Sequence, residues 1–196
     1  TYPDNYQLSS ADGNRLADFM VNGGRVYMEG GDTWAYDTQT AAHAMFHISG
    51  TDDGTGDLAQ VTGMAGGFAA NYDFIYDGTN SYIDHLSPNM DAFTLFSNVE
   101  VGYDVAIAYQ DEVYKSIGAS FEFGGLVDNE TSTKDGLMAE ILYFFSIPFV
   151  WTGVEDQQAM SSELLVYPNP VAQTLNIEVK ASVNGSSSIS MLDMLG

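Results

Sequence analysis

Two double glycines, Gly23-Gly24 and Gly30-Gly31, bracket the run Arg25-Val26-Tyr27-Met28-Glu29. Upstream, Ser9-Ser10-Ala11-Asp12 reads as a helix start, and Leu16, Phe19 and Met20 fall on one helical face. Glycine takes the left-handed conformation that ends a helix, so Gly23-Gly24 marks the stop. The bracketed run is then a short strand. Helix, double glycine and strand in that order predict one αβ step of an α/β sheet, which excludes all-helical and all-β architectures for this part of the chain.

Downstream the pattern changes. Thr38 to Phe46 predicts a second, short helix. From Leu58 to Tyr114, short apolar or aromatic runs alternate with Gly, Asn and Asp turns, predicting strands at 59–62, 72–76, 92–96 and 105–109. Tyr114 to Phe123 is the clearest strand, with Ile117, Ala119, Phe121 and Phe123 alternating along it. Ser132 or Thr133 caps a helix from Lys134 to about Phe145, whose buried stripe is Leu137, Met138, Ile141, Leu142 and Phe145. The organisation expected is an acidic α/β domain over 1–152, a polar linker over 153–163 and a β segment over 164–196.

Composition narrows the partners. Five basic residues face 27 acidic ones, a formal net charge of −22. Almost all of it lies before Leu164. Such a surface repels phosphate backbones, so nucleic acid is excluded as a partner, and anionic membrane surfaces are disfavoured. It attracts divalent cations, calcium above all, although solubility alone accounts for it. With no cysteine there is no disulfide, thiolate metal site or cysteine nucleophile. No run reaches the roughly 18 apolar residues of a membrane-spanning helix, so an integral membrane protein is not expected. Thr1-Tyr2-Pro3-Asp4 has neither the basic start nor the apolar stretch of a signal peptide, which predicts the C-terminal portion of a longer precursor.

The end of the chain carries an ordered set of motifs. Leu164-Leu165-Val166-Tyr167 runs into Pro168-Asn169-Pro170, and a second strand follows with Leu175, Ile177 and Val179 alternating against Asn176, Glu178 and Lys180. Ile189-Ser190-Met191-Leu192-Asp193-Met194-Leu195-Gly196 closes the series. In order and spacing this resembles the type A sorting domain of the type IX secretion system, which opens on V-Y-P-N-P and L-x-I and continues to I-x-x-x-D-x-x-G. The family continues through further strands after that glycine, where this chain stops. The resemblance implies the start of an immunoglobulin-like β-sandwich acting as an export signal. It implies recognition by the outer-membrane translocon and its shuttle protein, with Val166, Tyr167, Pro168, Asn169, Pro170, Leu175, Ile177, Asp193 and Gly196 as recognition residues. The cargo would be released or attached to surface polysaccharide, and located outside the cell or on its surface. The bland alternative is a plain β-turn between two strands.

Leu16, Phe19, Asn22-Gly23-Gly24-Arg25-Val26-Tyr27, with Ser120-Phe121-Glu122-Phe123-Gly124 and the Leu137 helix, is similar to the class I glutamine amidotransferase-like fold, nearest its non-enzymatic members. That likeness implies a flavodoxin-like layered domain whose first strands precede Thr1. Where that fold carries its nucleophile elbow, this chain has Glu29-Gly30, and no G-x-S-x-G occurs anywhere. Acyl transfer lacks its attacking atom, no catalytic residue is assigned, and a non-enzymatic role is expected.

Three constellations remain. Glu29 and Asp32 follow one predicted strand and Glu122 and Asp128 another, at the end where parallel sheets gather ligands, and Trp34 could add an aromatic platform for sugar. A glycan-binding adhesin, or a fragment of a carboxylate-using hydrolase, is the alternative function this would support. The opposing reading makes Glu29 a local cap and Trp34 core. Asp52, Asp53 and Asp57 form an acidic Asp-Gly turn that could hold calcium or be an ordinary turn. His43 and His47, four apart, would share a helical face able to bind zinc, but without the Glu of H-E-x-x-H they are expected to be structural, as is His85.

Overall fold

The computed structural model describes residues 7–52 and 56–148, together with the backbone of Glu163–Tyr167 and Asn176–Lys180. The chain divides into two units, Thr1–Phe149 and Val150–Gly196.

The first unit opens on helix α1, Ser10–Val21. The Ser9 side chain accepts the Asp12 N–H, satisfying one of the donors a helix leaves orphaned at its start. At the other end Gly23 N–H reaches Met20 O at 2.9 Å and Gly24 N–H reaches Phe19 O at 3.0 Å, with Gly23 at φ +95°. This is a Schellman stop, as the double glycine predicts. Strand β1, Arg25–Glu29, follows at once.

Next come helix α2 (Ala41–Ala44) and strands β2 (Ile48–Asp52), β3 (Gln60–Gly63), β4 (Asp73–Tyr76), β5 (His85–Pro88), β6 (Phe93–Asn98), β7 (Tyr103–Gln110), β8 (Lys115–Ala119) and β9 (Leu126–Val127). Helix α3, Lys134–Phe144, starts on Thr133, whose hydroxyl accepts the Gly136 N–H at 3.1 Å. It ends in a second Schellman stop. Ser146 N–H bonds Tyr143 O and Ile147 N–H bonds Leu142 O, both at 2.9 Å, and Ser146 takes the left-handed position at φ +59°.

The strands form one sheet in the order β1-β8-β7-β6-β3-β4-β9, with β5 beside β7 and β2 beside β5. Among the described residues only β1 and β8 pair in parallel, Arg25 opposite Lys115 through Glu29 opposite Ala119. Every other pairing is antiparallel. The architecture is therefore α/β, but the flavodoxin-like layering expected from the sequence is not what the described residues form. A doubly wound sheet needs a crossover of a dozen or more residues between parallel neighbours. Here β6, β7 and β8 are joined by turns too short for that, so they return as hairpins.

Successive residues of the central strands serve two cores. Ala106, Ala108, Ile117 and Ala119 pack into one, with Phe74, Phe121 and the α3 residues Leu137, Ile141 and Phe144. Ile107 belongs to the other, with Trp34, Phe46, Leu86, Tyr114 and Met20 of α1. Gly118 lies opposite Ile107, and a Cβ there would sit 2.4 Å from Ile48 Cδ1 and 2.6 Å from the Trp34 ring. The glycine is needed because the indole occupies that space.

The second unit contributes strands β10 (Glu163–Tyr167) and β11 (Asn176–Lys180), an antiparallel pair. Leu164 stands opposite Val179 and Val166 opposite Ile177, while Glu163 stands opposite Lys180. Two strands are the described part of this unit, so the immunoglobulin-like sandwich expected there is not seen among the described residues.

Candidate functional site

The end of β1 is where the sequence places its carboxylates. Gly30 N–H extends the pairing by one bond to Ala119 O, at 3.1 Å, and the chain then turns through residues 31–37. Glu29 is exposed, and its Oε2 accepts the Tyr27 hydroxyl and the Phe123 N–H, each at 2.9 Å. It thus ties β1 to the 3-10 turn Phe123–Gly125. Glu122 sits in the same corner. Its Oε2 accepts the Thr79 N–H at 3.4 Å and its N–H donates to the Tyr76 hydroxyl at 3.3 Å. Tyr76 in turn donates to Thr79 O at 3.0 Å.

The two tyrosines report the field there. Burial raises the Tyr27 pKa, and the Glu29 charge beside it raises it further. Tyr76 is also raised by burial, against the opposing Glu122 N–H bond, with Glu122 and Glu29 both adding to the rise. Glu29 and Glu122 both lie near Tyr76, and each carboxylate accepts a backbone N–H that ties two segments together. Asp32 is half-buried in the turn, and its carbonyl accepts the Asp37 N–H at 2.8 Å.

Trp34 is core. It is 4 % exposed, its indole N–H donates to Ala119 O at 2.8 Å, and its ring meets Phe46 edge-on at 5.1 Å and His43 at 5.9 Å. It has no open face to offer a sugar. The residue that sequence reasoning missed is Asp84. Fully buried, it accepts the N–H groups of Trp34 and Ala35 on Oδ2, both at 2.8 Å. The sequence carries no local signal for this, since Asp84 is about fifty residues away from the turn it holds.

His43 and His47 do not form a zinc pair. α2 covers Ala41–Ala44 within the helix predicted over 38–46, and His47 takes a left-handed φ of +54°. His43 Nδ1 accepts the Thr40 N–H at 2.9 Å, closing a capping box. His47 Nε2 pairs instead with the Tyr114 hydroxyl at 3.0 Å, and its ring lies 3.9 Å from that of Tyr109. His85 stacks on Tyr103 at 3.7 Å.

Burial lowers the His43 pKa below its usual 6.5. The unfolded chain then binds more protons than the folded one as pH falls below about 6.5, so stability at this site is present above that pH and lost below it. The urea midpoint is expected to fall between pH 7 and pH 5, and His43→Asn, which can keep the cap acceptor, is expected to flatten that part of the profile. An unchanged slope in the variant would remove His43 as its source.

Of the acidic turn, Asp52 ends β2 opposite His85, and Asp53 lies outside the described residues. Asp57 Oδ1 accepts the Tyr103 hydroxyl at 2.7 Å. Burial, with Asp57 adding to it, pushes the Tyr103 pKa up to about 12. Among the described residues no group of three or more His, Asp or Glu side chains is placed to hold a metal ion, and no helix is long and apolar enough to cross a membrane. Of the sorting motif, Val166, Tyr167 and Ile177 lie in β10 and β11. Pro168, Asn169, Pro170, Leu175, Asp193 and Gly196 lie outside the described residues.

No protein-family model matches this chain, and no curated protein matches it in sequence. Among solved structures, it is similar to the cold-adapted β-galactosidase from Rahnella sp. R3, with a TM-score of 0.53 and 12% identity. That likeness covers 82% of this chain and 24% of the β-galactosidase, so the chain spans about a quarter of it. The mmIFT52 N-terminal domain gives 0.49 at 14% identity over 74% of each chain. The exo-β-1,4-mannosidase Op5Man5 from Opitutaceae bacterium strain TAV5 gives 0.44 at 11% over 71% of this chain and 23% of that one. At such identities only the β-galactosidase likeness bears on the fold, and it speaks to nothing else.

Proposed function

We propose that this chain is the C-terminal part of a cargo protein of the type IX secretion system, its last segment serving as the export signal and its α/β unit as non-catalytic cargo. The observation that carries the reading is the order and spacing of three sequence motifs, Val166-Tyr167-Pro168-Asn169-Pro170, Leu175-Asn176-Ile177 and the run from Ile189 to Gly196, with β10 and β11 pairing as a sorting segment would need. The β10–β11 hairpin flanks Pro168-Asn169-Pro170, and its register sets Leu164 against Val179 and Val166 against Ile177. Paired strands alone would fit a plain turn equally well, and it is the I-x-x-x-D-x-x-G run, following where the sorting family has it, that favours the signal. On this reading the hairpin begins an immunoglobulin-like sandwich, and the translocon and its shuttle protein read its shape, because the segment has little charge. Two prolines preset the backbone and lower the entropy cost of docking. Release into the medium or attachment to surface polysaccharide would follow export.

The α/β unit supports a non-catalytic role through the uses its carboxylates already have. Glu29 and Glu122 both accept backbone N–H groups, and the chain has no cysteine and no G-x-S-x-G nucleophile motif.

The test is location. Removing everything from Leu164 onward in the full-length parent is expected to leave the protein in the periplasm, while the intact form reaches the surface or medium. Equal export of the two forms would overturn the reading and leave the segment as an accessory β module.

A further inference from the structure

At the C-terminal end of α3 lies an open cleft of about 720 Å³. Phe68, Phe144, Tyr143 and Ile147 give it aromatic and aliphatic walls, and Lys115 and Ser146 give it polar ones. Phe68 and Phe144 stack at 5.0 Å with 27° between their planes, and Phe93 braces Phe144 edge-on at 6.4 Å. Tyr143 is 76 % exposed beside them.

The charge here runs against the rest of the molecule. In a chain of net charge −22 with five basic residues, Lys115 and Arg25 are register partners on adjacent strands. Arg25 is occupied by the carbonyls of Gly23, Gly24 and Val113. Lys115 Nζ donates to Phe144 O and to Ser146 Oγ, the latter at 3.2 Å, and stands 5.1 Å from the Phe144 ring centroid. An ammonium has three donors, and these contacts use two. The Ser146 hydroxyl accepts from Lys115, so its own hydrogen is directed elsewhere. Lys115 Nζ and Ser146 Oγ, 3.2 Å apart, therefore each keep a hydrogen for a further acceptor beside the aromatic wall.

That spacing suits the two oxygens of one carboxylate. A phosphate dianion would need more than one accessible cation in so acidic a protein, and a neutral aromatic would leave the donor pair without an acceptor. We propose that this cleft binds a small aromatic carboxylate, its ring against Phe68, Phe144 and Tyr143 and its carboxylate on the Lys115 ammonium and the Ser146 hydroxyl. The proposal is independent of the export reading.

The probe is 2-naphthoate, titrated into the full chain at about 0.15 M salt, where a Debye length of about 8 Å screens the distant carboxylates. Saturable binding at one site is expected, weakened about tenfold by Lys115→Gln and about threefold by Ser146→Ala. Neutral 2-naphthamide, which offers one uncharged acceptor oxygen in place of the carboxylate, is expected to bind more weakly and to lose less than naphthoate does in each variant. Lys115 also caps α3, so Lys115→Gln is compared only if its thermal transition is retained. Otherwise Ser146→Ala, on the exposed helix stop, decides. Absence of saturation, equal binding of naphthoate and naphthamide, or naphthoate binding unchanged in the deciding variant would overturn the proposal.

Discussion

Replacing Trp34 with alanine is expected to lower the unfolding free energy by about 4 kcal/mol, the range found when a buried large aromatic is truncated. The indole is 4 % exposed and fills the space left open by Gly118, against Phe46, His43 and Ile48. Most of the loss is the cavity. The Ala119 carbonyl that accepts the indole N–H also accepts Gly30 N–H, so it is not orphaned by the change. Trp34→Phe keeps a ring and loses one hydrogen bond, and about half the penalty is expected. Domains of this size are stable by only about 5–15 kcal/mol, so the alanine variant should be visibly weakened at 37 °C. Urea unfolding at 25 °C measures both. A loss under about 1 kcal/mol for the alanine variant would mean that the ring is not the packing element described.

The two helices and the strand between the double glycines were legible because their signals are local. Ser9 and Thr133 cap where their types predict, and Gly23 supplies the left-handed stop. Strands β3, β4, β6 and β7 fall within two residues of their predicted bounds. The long strand predicted over 114–123 was read too far, since β8 ends at Ala119 and Phe123 begins a 3-10 turn. Ile48–Asp52 and His85–Pro88 were missed altogether. They pair with each other through a bulge, and His-Leu-Ser-Pro has almost no strand propensity of its own. Sheet direction was the larger error. A helix–strand step suggests parallel winding, but it is the turn lengths over 99–102 and 111–114 that decide, and they permit only hairpins.

The candidate site was half legible for a similar reason. Strand ends are partly legible in sequence: Glu29 ends β1 as expected, whereas Glu122 lies beyond the end of β8 and meets the same corner through Tyr76. What a side chain does there depends on partners distant in sequence. Glu29 meets Phe123 N–H across 94 positions, and Trp34 faces inward because Gly118 leaves room for it. An aromatic beside carboxylates looks the same in sequence whether it is a platform or a core residue. The cleft beside Lys115 was invisible in the sequence, because Phe68, Tyr143 and Phe144 that line it come from two other segments.

Asp84 gives the second large effect. Its side chain is fully buried, and one oxygen accepts two successive N–H groups, from Trp34 and Ala35. Asp84→Ala leaves both donors without that acceptor, and a cost of about 3 kcal/mol is expected from two buried donors at 1–3 kcal/mol each with partial relaxation. Asp84→Asn separates geometry from charge. An amide oxygen can still accept both N–H groups, so if the hydrogen bonds are what matters, Asn retains most of the stability, and if the buried negative charge is required, Asn falls with Ala. The first outcome is expected, because burying a carboxylate carries a desolvation cost that the neutral amide avoids. The two anchors also share one backbone segment, since Trp34 is held from its indole by Ala119 and from its N–H by Asp84. Their losses should therefore not add. In the Trp34→Ala, Asp84→Ala double variant the combined penalty is expected to fall short of the sum by about 1 kcal/mol or more, because removing either anchor already loosens the turn that the other holds. Strict additivity would mean that the indole and the carboxylate act on the turn separately, and that Asp84 serves some purpose other than seating Trp34.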